Sequence, residues 1–154
     1  MAQREFPATP LVGVGAVVVD DLRRVLIVQR GSEPMKGHWS LPGGLLELGE
    51  TLIAGIKREV YEETGLIVHP EAIVEVVDRI HADSDTHESR VRYHYVVIDY
   101  WCRVIGGELK PASDASDVAW INRDEWQNDN PYALESLTIQ VIEKGWQIAR
   151  AAGG

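Results

Sequence analysis

Three glutamates, Glu59, Glu62 and Glu63, are spaced so that their carboxylates leave the same face of a helix. They lie in the last two turns of the helix predicted for Thr51 to Thr64, where the helix dipole favours cations. The like-charged Glu59 and Glu63 should by themselves destabilise that helix by about 0.2–0.5 kcal/mol. A divalent cation would explain the arrangement, because Mg²⁺ prefers oxygen ligands and is usually held by one or two carboxylates together with phosphate oxygens.

A glutamate-rich helix end is often only a solvated surface. Whether this one is a cation site instead depends on the residues around the three glutamates. The chain carries a longer pattern of glycine, glutamate, arginine and apolar residues, at Gly44, Glu50, Arg58, Glu59, Val60, Glu62, Glu63, Gly65 and Leu66. From average residue frequencies, a chance match in a chain of this length has odds on the order of one in ten million. The pattern therefore indicates a site rather than a solvated surface.

This segment resembles the Nudix box, Gly-x5-Glu-x7-Arg-Glu-U-x-Glu-Glu-x-Gly-U, in which U is an apolar residue. The residues from Trp39 to Gly44, which lead into the box, and those from Val118 to Ile121 also resemble Nudix hydrolases. The resemblance implies a Mg²⁺-dependent enzyme, with Mn²⁺ able to substitute, that cleaves a phosphoanhydride bond in a nucleoside diphosphate linked to another group. A metal-bound water would attack one phosphorus atom.

The resemblance also implies which residues bind the metal. Glu59, Glu62 and Glu63 match the metal-binding acids of the family, with Glu59 and Glu63 as direct ligands of the main ion. The carbonyl oxygen of Gly43, just before the box, matches a further ligand. These four residues form the predicted metal site.

The resemblance assigns catalytic roles to other positions. Arg58 and Glu50 match a pair that orients the metal-binding acids. The general base is open, because the family often places a further acid in a late loop, where this chain has Asp114 and Asp117. Turn or capping roles are the alternative for both, and we expect such a role for Asp117, which directly precedes a strand. Glu62 is another choice of base.

Substrate contacts are predicted in the loop that leads to the box. Arg30 and Lys36 are placed to meet phosphate or ribose, although loop cations commonly face solvent. Trp39 is placed to stack on a base, with a role in the core as the alternative. Three functions remain open: hydrolysis of ADP-ribose or another nucleoside-diphosphate sugar, which the resemblance favours, hydrolysis of nucleoside triphosphates, and nucleotide sensing without catalysis.

The elements that position these residues follow from apolar periodicity. Val12 to Val19 and Val25 to Val28 predict two central strands that are covered on both faces. The segment Gly31 to Gly44, rich in Gly, Pro and Ser, is predicted to be mostly loop. The helix over Thr51 to Thr64 should end at Gly65, a residue that tolerates left-handed geometry.

The second half of the chain predicts three more strands and a helix. The strands lie near Ala72 to Ile80, Arg92 to Val104 and Val118 to Ile121. Residues of the last helix recur at helical intervals, at Leu134, Leu137, Val141 and Trp146. Strands that alternate with two helices predict an α/β fold, a Nudix-type α/β/α sandwich around a mixed β-sheet.

Size and charge restrict the class of protein. The 154 residues fit one domain, 1–154, and 45% hydrophobic with 25% charged residues is typical of a globular protein. A formal net charge of −9 argues against binding duplex nucleic acid but not against a small nucleotide. The apolar runs are too short to span a membrane, the start has no apolar leader, and Cys102 is the single cysteine. We expect a cytoplasmic protein, and a homodimer is open.

Overall fold

The computed structural model describes residues 3–33, 35–83 and 90–153, and within them the fold is a mixed sheet between two helices. The strands are β1 (Leu11–Val19), β2 (Val25–Arg30), β3 (Trp39–Ser40), β4 (Gly43–Leu45), β5 (Leu66–Asp83), β6 (Arg90–Gly107) and β7 (Ala115–Ile121). The helices are α1 (Leu52–Thr64) and α2 (Ser136–Gly153), and a π-helical turn occupies Glu125–Asp129.

Strand β1 lies at the centre of the sheet and pairs in parallel with β6 over its full length. Strands β1 and β2 pair antiparallel where Val19 lies opposite Val25. Nearer its start, at Gly13 to Gly15, β1 pairs with β4, while β2 pairs with β3 and β7. Because β1 and β2 separate, the segment that leads into the box enters between them.

Each face of the sheet is covered by one helix. Successive residues of a strand point to opposite faces, so Val17 packs with Val141 of α2, whereas Ala16 packs with Val60 of α1. Both central strands contribute buried side chains to both cores. The predicted α/β/α sandwich around a mixed sheet is therefore confirmed. Cys102 is buried in it.

The structure corrects several predicted boundaries. The described part of the segment Gly31 to Gly44 is mostly loop, as predicted, but it also contains β3 and the start of β4, which take up the edges that β2 and β1 expose where they separate. Strand β5 begins at Leu66, directly after the helix, and not at Ala72. Leu134 is buried but precedes α2, and Asp117 lies within β7. Neither helix in the described residues is long and apolar enough to cross a membrane.

Candidate active site

The packing of α1 on the sheet positions the glutamates. The hydroxyl of Thr51 caps the helix by accepting a hydrogen bond from the N–H of Ala54 at 3.1 Å. Gly65 ends it in the predicted left-handed conformation, with φ of 76°. Ile56 and Val60 are buried against the sheet, which fixes the rotation of the helix about its axis. The adjacent face of α1 is thereby turned towards β4.

Glu63 is the more buried acid on this face. Its Oε1 accepts a hydrogen bond from the backbone N–H of Gly43 at 2.8 Å, which joins α1 to β4. Burial raises the pKa of Glu63 to about 8; the Gly43 N–H and Arg30 oppose this shift, and the charges of Glu59 and Asp114 add to it. The carboxylate is therefore held where a compensating positive charge would stabilise it strongly.

Glu59 is placed by the absence of a side chain at Gly44. A Cβ atom on Gly44 would lie 2.6 Å from the carboxylate of Glu59, closer than van der Waals contact allows. Burial raises the pKa of Glu59, and the neighbouring Arg58 acts in the opposite direction. The glycine thus makes the space that the Glu59 carboxylate occupies.

Arg58 links the acids to one another. Its guanidinium donates to both oxygens of Glu50, at 2.6 and 2.8 Å, and to Oε1 of Glu59 at 2.8 Å. It also donates to Glu62 at 3.3 Å and to the carbonyl oxygen of Leu45 at 3.1 Å. Hydrogen bonding to Arg58 lowers the pKa of Glu50 to about 2. Arg58 and Glu50 therefore form an ion pair, and the hydrogen bond from Arg58 holds the Glu59 carboxylate in place.

The donor set fits a divalent cation. Glu59 and Glu63 offer carboxylate oxygens that are partly removed from water, and Gly44 leaves room for the Glu59 carboxylate beside β4. Within the described ranges no three His, Cys, Asp or Glu side chains form a complete metal cage. Magnesium does not need one, because one or two carboxylates with substrate phosphate oxygens suffice. Gly43 contributes its N–H to Glu63, and its role as a carbonyl ligand stays a prediction.

The two late aspartates occupy different environments. The loop before β7 is bound to the end of α1, where the N–H of Ala112 donates to the carbonyl of Glu63 at 3.1 Å. This places Asp114 near enough for its charge to raise the pKa of Glu63. Asp117 is exposed on β7, and its Oδ1 accepts from the N–H of Val118 at 2.8 Å. Because Asp117 lies within β7, the turn or capping role expected for it stays a prediction.

The predicted substrate contacts are separated by the fold. Arg30 lines the cleft beside the box, at the end of β2. Lys36 is exposed, and neither it nor Trp39 is among the described residues that line this cleft. The Trp39 ring packs edge-on against Tyr132, with centroids 4.9 Å apart. This contact supports the alternative role of Trp39 as a core residue. Its stacking on a base stays a prediction.

The cleft consists of two compartments that share Arg30, Tyr95 and Val97. The smaller has a volume of about 250 Å³ and adjoins Gly43, and the larger has about 650 Å³ and adjoins Gly44. The described walls of the cleft include residues that sequence reasoning missed: Arg79, Tyr93, Tyr95 and Asp99. The one available signal was a charged residue, Asp99, inside an apolar strand pattern.

Known proteins share both this fold and the box. A family model described as the NUDIX domain matches residues 9–139. An ADP-ribose pyrophosphatase of Methanocaldococcus jannaschii is 34% identical over 113 residues, which are 73% of this chain and 62% of that protein. The human 8-oxo-dGDP phosphatase NUDT18 is 33% identical over 112 residues, 70% of this chain and 31% of that protein. The chain thus spans less than two thirds of either relative.

A solved structure extends the likeness to nearly the whole chain. A NUDIX hydrolase from Nitrosomonas europaea has a TM-score of 0.73 at 26% identity, covering 94% of this chain and 90% of that one. The family model, the shared fold and the complete box therefore lead to one conclusion: the chain belongs to the Nudix hydrolase family.

Proposed function

We propose that the protein hydrolyses a phosphoanhydride bond in a nucleoside diphosphate linked to another moiety, with Mg²⁺ held by Glu59, Glu62 and Glu63. The observation that carries this proposal is the half-buried pair of Glu59 and Glu63, held against Gly43 and Gly44 of β4, which line the two compartments of the cleft. Two desolvated carboxylates this close favour a bound cation over mutual repulsion.

Different residues would bind the cation, position the acids and bind the phosphate. The carboxylates hold the cation, which when bound supplies positive charge to the diphosphate oxygens and acidifies water. Arg58 and Glu50 keep Glu59 in position, and Arg58 reaches Glu62 as well. Arg30, at the cleft wall, lies where a phosphate would need a second positive charge. Catalysis then depends on preorganised charge rather than on movement of these groups.

We assign Asp114 as the general base for this reaction. Its loop is bound to the end of α1, and its charge acts on Glu63, so it borders the acids without belonging to the helix. A base in that position would accept the proton from the attacking water. Glu62, about half exposed at the rim of the acids, is the alternative.

The likeness to the ADP-ribose pyrophosphatase supports ADP-ribose or another nucleoside-diphosphate sugar as substrate. The human relative, named as an 8-oxo-dGDP phosphatase, favours a second candidate function, hydrolysis of free or damaged nucleotides. Membership of a hydrolase family and the complete set of box acids argue against the third function, sensing without catalysis.

A substrate panel tests this proposal. Purified protein with Mg²⁺ is incubated with ADP-ribose, UDP-glucose, nucleoside triphosphates and 8-oxo-dGDP, and the products are identified by chromatography and mass. We expect AMP and ribose 5-phosphate from ADP-ribose, no turnover in excess chelator, and recovery when Mg²⁺ or Mn²⁺ is restored. Turnover should increase towards alkaline pH. Undiminished turnover in chelator would refute the metal dependence. Release of pyrophosphate from triphosphates, or of phosphate from 8-oxo-dGDP, without turnover of ADP-ribose or UDP-glucose would favour the second function.

A further inference from the structure

Asp99 is a buried carboxylate that the catalytic proposal does not use. It is 4% exposed, on β6, and it lines the smaller compartment of the cleft. Its side chain lies over Gly15, where an added Cβ would collide with Oδ1. Among the described residues, no hydrogen bond to this carboxylate is recorded, and only the charge of Arg79 compensates its burial. Burial raises the pKa of Asp99 to about 6, so the group is ionised at neutral pH.

Asp99 is aligned with the candidate catalytic residues across the sheet. In the register of the strands, Asp99 lies beside Gly15, and Gly15 lies beside Gly43, whose N–H binds Glu63. Two strand spacings separate Asp99 from Gly43, or about 10 Å. Gly43 and Asp99 line the same compartment of the cleft, so a group attached to a diphosphate bound beside Gly43 can reach Asp99.

The walls around Asp99 carry fixed polar groups. Arg79 donates to Glu135 at 3.3 Å and to the hydroxyl of Thr138 at 3.4 Å, so α2 and the residue before it hold its guanidinium at the compartment wall. His38 lies 3.5 Å from Glu135. This compartment of about 250 Å³ thus presents both acceptors and donors. Hydroxyl groups, which both donate and accept, match such a lining.

The larger compartment has a different character. Tyr93 and Tyr95 lie with their rings nearly parallel, at 14° and 6.2 Å between centroids. They share their compartment with Gly44 and Leu45 of the box. Flat aromatic surfaces of this kind suit the face of a nucleobase. The two compartments therefore offer separate places for the two halves of a substrate.

Building on the proposed function, we propose that Asp99 is a specificity-determining residue that accepts hydrogen bonds from vicinal hydroxyls of a sugar attached to the diphosphate. An ionised carboxylate can only accept, and its two oxygens match two adjacent hydroxyl donors. The carboxylate, which lines the compartment, would gain hydrogen-bond partners when such a ligand binds. The aromatic compartment holds the nucleoside, so the site favours a substrate with two ends over a simple nucleotide.

The test uses two ligands that cannot be hydrolysed, because a methylene group replaces the bridging oxygen. They are α,β-methylene-ADP-ribose and α,β-methylene-ADP, titrated calorimetrically in Mg²⁺ into the wild type and Asp99→Asn. We expect the substitution to weaken binding of the ribose ligand about tenfold or more, as for loss of hydrogen bonds to a charged group. Binding of the ADP ligand should stay within about threefold. Asp78→Asn, an exposed change on β5, is the control and should change neither.

Stability separates this role from a structural one. If Asp99 only supported the fold, Asp99→Asn would melt earlier while both ligands bound as before. The proposal instead expects an unchanged or higher Tm, since a buried charge without a hydrogen-bond partner is removed. Equal weakening of both ligands would also overturn it, because Asp99 would then serve the nucleoside half.

The outcome is distinguishable from failure of the proposed function. Selective weakening of the ribose ligand, in a protein that does not hydrolyse ADP-ribose, would retain the role of Asp99 and refute the activity. Hydrolysis of ADP-ribose with unchanged binding to Asp99→Asn would retain the activity and refute the role of Asp99.

Discussion

The carboxylate of Glu59 lies against Gly44, so that a Cβ atom on the glycine would be 2.6 Å from it. One residue belongs to α1 and the other to β4, and the contact sets the distance between the helix and the strand. Glu63 makes a second connection through the N–H of Gly43. The geometry of the acids therefore depends on two glycines that belong to a different element of the fold.

Gly44→Ala tests this contact. The end of the Glu59 side chain can move away from a new methyl group, so we expect the Tm to change little while turnover falls about a hundredfold, as for a misplacement of about 1 Å. Gly106→Ala is the matched control, because its Cβ would meet its neighbours only at 3.7 Å or more. Wild-type rates for Gly44→Ala would show that the position of Glu59 is not critical.

Glu63→Gln should lower kcat by at least about a hundredfold, as expected when a positioned charge is lost. The fold should remain intact, because the change removes one of two half-buried carboxyl groups that repel each other when ionised and keeps an acceptor for the Gly43 N–H. Steady-state rates and thermal melts check both statements. A variant that unfolds early, or one with near-normal kcat, would contradict the assignment.

The raised pKa of Glu63 predicts how stability depends on pH without metal. Below the usual pKa of 4.5, Glu63 is protonated in both the folded and the unfolded protein. Between pH 4.5 and about 8 the unfolded protein has lost this proton and the folded protein keeps it, so the free energy of unfolding falls as pH rises. Each unit of difference corresponds to about 1.4 kcal/mol at 25 °C. Urea unfolding in chelator should show a decline from about pH 5 to about pH 8 that Glu63→Gln reduces and Mg²⁺ opposes. A pH profile that is the same for both proteins would exclude this titration.

Arg58→Lys tests the support of the acids. Lysine cannot donate to both Glu50 oxygens and to Glu59 at once, so we expect kcat to fall about tenfold or more and stability to decrease by about 1.5–3 kcal/mol. The Mg²⁺ concentration for half-maximal rate should increase, which a purely structural defect would not produce. Lys57→Arg, on an exposed position of the same helix, should leave all three quantities unchanged.

Asp114→Asn and Asp117→Asn give opposite expectations. The amide introduced by Asp114→Asn would be unable to take a proton, so kcat should fall about a hundredfold or more with little change in the Mg²⁺ requirement. Asp117→Asn should retain nearly full activity, because an amide oxygen can accept from the Val118 N–H as the carboxylate does. Rates on one confirmed substrate decide the matter. A large loss for Asp117→Asn alone would identify Asp117 as the base. Full activity in both variants would favour Glu62.

The amino-acid sequence determined the features that depend on local spacing. The helical face that carries Glu59, Glu62 and Glu63 follows from a period of 3.6 residues, and the end of the helix follows from Gly65. The two central strands follow from their continuous apolar runs. The same spacing was enough to identify the family. The short strands β3 and β4 did not follow, because they form only where β1 and β2 separate.

Tertiary structure decided every contact between distant segments. Glu63 meets Gly43, 20 residues away, and Asp99 lies in a row with Gly15 and Gly43. Such neighbours depend on strand order and register, which no local period encodes. Burial of Asp99 depends on the same register, and so does its place in the cleft. The acids could therefore be recognised from their spacing, whereas the cleft that we propose selects the substrate depends on which strands lie side by side.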